Sequence, residues 1–274
     1  MPFDIIAVIP GAETGVELAD QLSWKMGLRS NGIEKSLARR NKYHMGELVR
    51  QAGVRAVKQA VCTTIEQVDE FLKTLVPKGG SLNNLQCVVK PVQSAGTDDV
   101  FLCKSADEAR IAFHKIIGTI NGIGLLNENV LVQEFLVGKE HVVDKVSRDG
   151  VHKVVAIWQY DKRPVNGAAF VYFGMKVCPS DTPQAKALIE YADKVLDALE
   201  INHGPSHMEV MLNTIVENGV TRYEPCLVEV GARCHGGEGT WLPVIQECVG
   251  YSVVSRSCNI NLQSLILYYR WMSL

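Results

Sequence analysis

The alternation of apolar and polar positions divides the chain into short strands and amphipathic helices. Two-residue periodicity and short apolar runs predict strands at 3–9, 54–61, 87–91, 100–103 and 130–135, two strands within 139–162, and strands at 207–212 and 223–230. Apolar residues spaced three and four apart predict helices at 16–26, 37–52, 63–75, 106–117 and 181–200. This mixture of hairpin-forming strands and separate helices is typical of an α+β fold.

Turn sequences indicate how neighbouring strands pair. Ser147-Arg148-Asp149-Gly150 lies between the two strands of the segment 139–162, and Glu217-Asn218-Gly219 lies between the last two predicted strands. Such turns favour antiparallel hairpins. The loop 93–99 is rich in small residues and also lies between two strands, which predicts a third hairpin with an exposed backbone at its tip.

The two ends of the chain differ from its middle. Residues 1–36 contain a predicted strand, a glycine turn at 11–15 and a helix, which is half of a βαβ unit and too little for a sheet. Either more of that sheet precedes it in a longer protein, or the segment leans on the next domain. Residues 251–274 lack Asp, Glu, Lys, Gly and Ala, which indicates a foreign or truncated end or a docked helix.

Composition and charge exclude several classes of protein. Of 274 residues, 47% are apolar and 21% are charged, which is typical of a folded chain. The net charge of −2 lacks the basic excess of a nucleic-acid-binding protein. No apolar run approaches the roughly 18–20 residues of a membrane span, and the N-terminus lacks the basic region of a secretory signal. We therefore expect a cytoplasmic protein with neither a nucleic-acid nor a membrane partner.

The eight cysteines do not form a recognisable ligand or disulfide pattern. There is no C-x-x-C, and Cys226 and Cys234, the closest pair, have no matching second pair, so a zinc site is not expected. Most cysteines have apolar neighbours, where a reduced thiol acts as a small hydrophobic side chain.

Lys90 ends a predicted strand beside the small-residue loop that contains Ser94, Ala95 and Gly96. Backbone N–H groups of such a loop can approach phosphate oxygens while an ammonium group neutralises them. The P-loop pattern is absent. The alternative is a surface hairpin with a solvent-exposed lysine.

Glu209 and Glu229 lie in apolar strands that are expected to pair with each other. A carboxylate in such a strand needs a cation, and two of them on paired strands suit Mg²⁺, while a salt bridge is the alternative. Arg233 follows Glu229 by four residues. Its planar guanidinium suits a phosphate or a developing oxyanion. The alternative is a structural role, in which Arg233 holds its own loop in place.

Taken in order, these motifs resemble the ATP-grasp superfamily over about residues 38–250, closest to its amino-acid ligase and carnosine-synthase branch. The resemblance implies two α+β subdomains, 37–138 and 139–250, that clamp ATP between them. Residues 1–36 would then be a remnant of a preceding α/β domain, and 251–274 an atypical tail. Gly231 stands where the family usually has Asn, which removes one possible metal ligand.

The resemblance also implies roles for individual residues. Lys42 and Lys90 correspond to the nucleotide-binding lysines, and Ser94, Ala95 and Gly96 to the loop over the phosphates. Glu134, Phe135 and Leu136 correspond to the hinge at the adenine, and Glu140 to the carboxylate at the ribose. Glu209 and Glu229 correspond to the metal ligands and Arg233 to the arginine at the transferred phosphate. The extension His235-Gly236-Gly237-Glu238-Gly239 departs from the family's usual pattern, and we expect it to contribute to substrate recognition.

The implied reaction is ATP-dependent ligation of a small carboxylate to an amine. ATP and Mg²⁺ are the implied cofactors, with Mn²⁺ as an alternative ion, and a homodimer is compatible with the resemblance. Two other functions stay open: an ATP-binding module without turnover, and a phosphotransferase of the same fold.

Overall fold

The computed structural model of the chain describes residues 5–77, 79–94, 98–166, 168–236 and 239–262. These residues form two antiparallel sheets, each with helices packed against one face. The chain passes from the first sheet to the second through the short segment 135–138. The observed architecture is the α+β class that the sequence predicts.

The first sheet has four strands in the order β1–β4–β2–β3. Two helices, α3 and α4, cover it with apolar side chains that include Leu72 and Phe113. Burial of these side chains is the main stabilising contribution in this half of the molecule. The elements are β1 (Gln59–Cys62), α3 (Ile65–Leu75), β2 (Cys87–Pro91), β3 (Phe101–Cys103), α4 (Ala106–Ile116) and β4 (Val130–Glu134).

The second sheet has five strands in the order β7–β6–β5–β8–β9. The amphipathic helix α5 buries Leu188, Ala192 and Val195 against it, and α2 packs beside α5. Thr182 caps α5 by accepting a hydrogen bond from Ala185 N. The elements are α2 (Lys42–Gln51), β5 (Lys139–Arg148), β6 (Val151–Val165), β7 (Ala168–Val177), α5 (Pro183–Ala198), β8 (Gly204–Glu217) and β9 (Val220–Gly231).

The strand predicted at 3–9 is wrong for its described residues, 5–9, which are irregular. No described strand is hydrogen-bonded to them in either sheet, so they form no ladder. The following helix, α1 (Val16–Lys25), lies against the second sheet's core through Val16, and its Asp20 forms a buried ion pair of 2.8 Å with Arg39. The described part of this segment therefore packs against the rest of the chain.

The helix predicted at 37–52 is interrupted. A 3₁₀ turn, Leu37–Arg39, is followed by α2, and Asn41 lies between them with extended backbone. The Asn41 carboxamide oxygen accepts hydrogen bonds from Tyr43 N and His44 N, which starts a new helix at Lys42. This capping places Lys42 on the first turn of α2.

Two strand predictions also need correction. The strand at 54–61 is reduced to β1, and the residues 54–58 before it are irregular. Lys58 N donates to the Glu134 carboxylate and not to a strand carbonyl. The sequence does not predict β7, the edge strand of the second sheet that pairs with β6. Its Lys176 and Val177 pair with Gln159 and Trp158 of β6.

The tail 251–274 begins with a helix that packs on the fold. After α6 (Trp241–Val249), helix α7 (Val253–Leu262) packs on β5 and β8. Val253 is buried against Val146 and Val155, so a docked helix is the alternative that describes 253–262. The aromatic segment 265–271 lies outside the described residues. No described helix is long and apolar enough to span a membrane.

Candidate active site

A cavity of about 700 Å³ lies between the two sheets. Its volume is in the range of small-molecule sites. Val88 and Lys90 line it from the first sheet, and Tyr160 and Tyr172 line it from the second. The cavity is therefore bounded by both halves of the molecule.

Ten of the twelve site residues predicted from the sequence line this one cavity. The other two, Ala95 and Gly96, lie outside the described residues. The ten are spread over two hundred residues of sequence, so their convergence is a property of the fold. They are Lys42, Lys90, Ser94, Glu134, Phe135, Leu136, Glu140, Glu209, Glu229 and Arg233.

Lys42 links the two sheets at the cavity. Its Nζ lies 2.9 Å from Glu229 Oε2 and donates a 3.0 Å hydrogen bond to the carbonyl oxygen of Ser94. The ammonium group thus contacts both the loop after β2 and the predicted metal strand. It is buried, so its charge acts in a medium that screens weakly.

Lys90 is also buried, on β2. Burial and the neighbouring Lys42 lower the pKa of Lys90 to about 8, against the opposing effect of Glu229, Glu209 and Glu140. A lysine in this state is partly charged near neutrality. An incoming anion would favour its charged form, because opposite charges stabilise each other.

Glu209 and Glu229 lie directly opposite each other on β8 and β9. Burial raises the pKa of each, but their cationic neighbours outweigh it and hold both pKa values below the usual range. For Glu209 these neighbours are His207 and Lys162, and for Glu229 they are Lys42 and Lys90. Both carboxylates are therefore ionised and face the same cavity.

Glu140, predicted to contact the ribose, lies beside this pair. Its carboxylate is hydrogen-bonded to Glu209 and lies 2.5 Å from Lys162 Nζ. Burial and Glu209 raise the pKa of Glu140 to about 7, while Lys162 opposes the rise. Three partly buried carboxylates within one wall fit a divalent cation, since one or two carboxylates hold Mg²⁺ together with phosphate oxygens.

The predicted hinge lies at the cavity wall, where the chain leaves β4. The Glu134 carboxylate accepts hydrogen bonds from Arg55 Nη2 (2.8 Å) and Lys58 N (2.7 Å). Its charge is thus engaged by neighbouring protein groups. Phe135 and Leu136, the next two residues, also line the cavity.

Arg233 is held by a residue that sequence reasoning missed. Glu13 Oε2 lies 2.5 Å from Arg233 Nε, and Glu13 Oε1 accepts a 2.7 Å hydrogen bond from Arg40 Nη1. A Cβ added to Gly231 would lie 2.8 Å from Glu13 Oε2. The glycine that replaces the family's usual Asn therefore leaves room for the Glu13–Arg233 pair.

Asp144, His207 and His235 form a cluster that the sequence reasoning did not bring together, although it expected His235 to contribute to substrate recognition. Asp144 Oδ1 lies 2.9 Å from His207 Nδ1, and Asp144 Oδ2 lies 2.9 Å from His235 Nδ1. Asp144 stands in an apolar strand, as Glu229 does, so the rule that a buried charge needs a partner could have identified it. Both histidines line the cavity.

Lys162 was also missed, and no local signal points to it. Its Nζ lies 4.9 Å from the ring centroid of Tyr160 and 4.5 Å from that of Tyr172. Cations at such distances are attracted to aromatic faces. Lys162 thus supplies a third ammonium group to the wall that holds Glu140 and Glu209.

Comparison with known proteins identifies the family. The chain belongs to the ATP-grasp family: the model described as "ATP-grasp domain" matches residues 41–237. This confirms the resemblance seen in the order of the motifs.

Three known proteins illustrate the similarity. Dapdiamide A synthase of Enterobacter agglomerans is 35% identical over 256 residues, which cover 93% of this chain and 56% of that protein. The L-arginine-specific L-amino acid ligase of Bacillus subtilis is 24% identical over 212 residues, which cover 76% of this chain and 48% of that protein. The crystal structure of L-amino acid ligase from Bacillus licheniformis superposes with a TM-score of 0.70 at 20% identity, over 96% of this chain and 58% of that one.

The chain spans about half the length of the curated relatives it matches. The similarity to the crystal structure shows the fold.

Proposed function

We propose that this protein is an ATP-dependent ligase that activates a small carboxylate as an acyl phosphate and transfers the acyl group to an amine. The observation that carries the proposal is the pair of opposed carboxylates, Glu209 and Glu229, in a cavity that Lys42 and Lys90 also line. This combination supplies oxygen ligands for a metal and ammonium groups for phosphates. The relatives named as amino acid ligases support an amino acid as one substrate.

In the proposed reaction the cavity residues position ATP and neutralise its charge. Lys42 and Lys90 bind phosphate oxygens, and Phe135 and Leu136 border the base. Glu209 and Glu229 would hold Mg²⁺, which when bound offsets the negative charge of the phosphates. The substrate carboxylate oxygen attacks the γ-phosphorus atom and ADP leaves.

The second step consumes the acyl phosphate. The amine nitrogen attacks the acyl carbon, the bond from that carbon to the phosphate oxygen breaks, and inorganic phosphate leaves. Arg233 contributes most while charge accumulates on the transferred phosphoryl group and on the leaving ADP, because a fixed guanidinium needs little reorganisation. Positioning and charge neutralisation account for the acceleration in such phosphoryl transfers.

The domain boundaries and the compartment are part of the same proposal. Residues 37–138 and 139–250 would be the two subdomains that close on ATP. The proposed compartment is the cytoplasm, as the sequence leads us to expect.

Turnover with a panel of amino acids and carboxylic acids tests this function. We expect ADP release together with an amine-dependent product, and we expect Glu229→Gln to weaken Mg·ATP binding and turnover. Glu224→Gln, an exposed position on the same strand, is the matched control and should behave as the parent. ATP binding without ADP would indicate the binding module, and a stable phosphorylated product would indicate the phosphotransferase.

A further inference from the structure

The cluster of Asp144, His207 and His235 lies at one end of the cavity, beside the predicted metal strand. Asp144 is buried and accepts three hydrogen bonds: from Trp158 Nε1 at 2.8 Å and from the Nδ1 atoms of both histidines at 2.9 Å. The two imidazole rings lie 4.1 Å apart between centroids. Neither histidine has a role in the reaction as described above.

The hydrogen bonds determine where the protons lie. An ionised carboxylate only accepts, so each Nδ1 that faces Asp144 carries a hydrogen. Asp144 is ionised, since the two histidines hold its pKa well below the usual range against the effect of burial. Of the two remaining Nε2 atoms, that of His207 is engaged by the ionised Glu209, so that of His235 is the one available for other chemistry.

The two Nε2 atoms have different surroundings. His207 Nε2 lies 3.8 Å from Glu209 Oε1. His235 Nε2 has no hydrogen-bond partner among the described residues, and its side chain borders the cavity with Trp241. His235 thus presents one unengaged nitrogen where a substrate would lie.

His235 is neutral near pH 7. The charged or titratable groups that face it are Asp144 from β5, His207 from β8 and Arg233 from its own loop. Burial lowers the pKa of His235, Asp144 raises it, and His207 and Arg233 lower it, with a lowered pKa as the result. A neutral imidazole with hydrogen on Nδ1 has a free electron pair on Nε2, which can accept a proton.

Three direct hydrogen bonds already satisfy the Asp144 carboxylate. The cluster is therefore built to orient two imidazole rings.

We propose that His235 is the general base that accepts a proton from the ammonium group of the amine substrate. This inference rests on the proposed ligase function. The ammonium nitrogen transfers one proton to His235 Nε2, and the freed electron pair forms the bond to the acyl carbon. As the bond from that carbon to the phosphate oxygen breaks, the second proton leaves the nitrogen for the departing phosphate, so the products are an amide, hydrogen phosphate and protonated His235.

Hydroxylamine separates this step from the first one. It is weakly basic and largely unprotonated at neutral pH, so it captures an acyl phosphate as a hydroxamate without a base. An amino acid nucleophile is protonated at neutral pH and needs one. Hydroxamate formation therefore reports acyl phosphate, and amide formation reports acyl phosphate together with deprotonation.

The experiment compares both products in the full chain and in His235→Asn, with the exposed His114→Asn as the matched control. We expect His235→Asn to retain hydroxamate formation and to lose amide formation by roughly 10²–10⁴-fold, the usual contribution of a general base. Its residual amide rate should rise with pH as free amine accumulates. An equal loss of both products, or a loss of neither, overturns the assignment. Absence of hydroxamate in the parent chain overturns the ligase function itself.

Discussion

Glu13 and Arg233 are 220 positions apart in sequence and joined by a 2.5 Å ion pair at the wall of the cavity. Glu13 also accepts a hydrogen bond from Arg40 and so holds two guanidinium groups at once. This contact connects the N-terminal segment to the loop after β9. It makes that segment part of the site, since it orients an arginine proposed to act on the transferred phosphate.

Glu13→Gln should lower kcat more than it weakens ATP binding. The substitution weakens the contact that orients Arg233, whose interaction with phosphate is strongest in the transition state. A fall in kcat of roughly tenfold, or about 1.4 kcal/mol, is expected. Steady-state ADP release and calorimetric ATP binding measure the two effects. Glu70→Gln, at an exposed position of α3, should leave both unchanged, and a loss confined to ATP affinity would contradict the assigned role.

Gly231→Asn should lower the melting temperature without adding a metal ligand. Any Cβ at this position lies 2.8 Å from Glu13 Oε2 and 3.1 Å from the Arg233 guanidinium carbon. Because these atoms belong to flexible, partly exposed side chains that can move aside, the expected cost lies at the low end of overpacking, about 1 kcal/mol. Thermal unfolding checks this, with Gly11→Ala as the control because no atom lies within 4 Å of its added Cβ. Unchanged stability of Gly231→Asn would mean that the Glu13–Arg233 pair is easily displaced.

Lys90→Ala should weaken ATP binding roughly ten- to hundredfold, the loss of about 1.5–3 kcal/mol expected for one charge-assisted contact. The fold should persist, because the apolar core of the first sheet, including Val89 and Val132, is unchanged. Calorimetric titration of ATP into the parent chain and into Lys90→Ala measures the two affinities, and circular dichroism checks that the variant is folded. Equal ATP affinity in a folded variant would remove Lys90 from the site.

ATP affinity should also depend on the protonation of Lys90. Burial and Lys42 lower its pKa to about 8, so the ammonium form that attracts phosphate is present below that pH and is lost as the pH rises through it. Affinity should therefore decline above about pH 8. In Lys90→Arg the decline should be absent, since a guanidinium remains charged. The same decline in both proteins would assign it to another group.

Val253→Ala should destabilise the protein by about 1–3 kcal/mol, because it removes two methyl groups from a buried contact with Val146 and Val155. Val254, the next residue of α7, is 38% exposed. Val254→Ala is therefore the matched control and should have little effect. Equal melting temperatures for the two variants would show that α7 does not stabilise the fold in solution.

Local sequence patterns predict the strands of the site better than they predict where its helices begin. The strands that deliver Lys90, Glu209 and Glu229 were predicted because their hairpin turns and apolar alternation are local signals. The interruption before Lys42 was not, because an Asn within an amphipathic pattern signals a cap only once its side chain is seen to bind the backbone.

The missed site residues have partners that are distant in sequence. Glu13 acts on Arg233 and Asp144 on His235, and no spacing rule connects residues that far apart. The strand predicted at 3–9 failed for a related reason: its apolar pattern is right for a strand, but a strand exists only if another strand pairs with it. Periodicity describes one segment, whereas pairing depends on the whole fold.

The central claim, that a carboxylate is activated by ATP in this cavity, is tested most directly by oxygen transfer. A carboxylate substrate labelled with ¹⁸O in both oxygens would be incubated with ATP, Mg²⁺ and an amine, and the phosphate analysed by ³¹P NMR. An acyl phosphate requires one carboxylate oxygen to remain on phosphorus, so the account predicts phosphate with one ¹⁸O atom. Unlabelled phosphate released together with the amide product would contradict it.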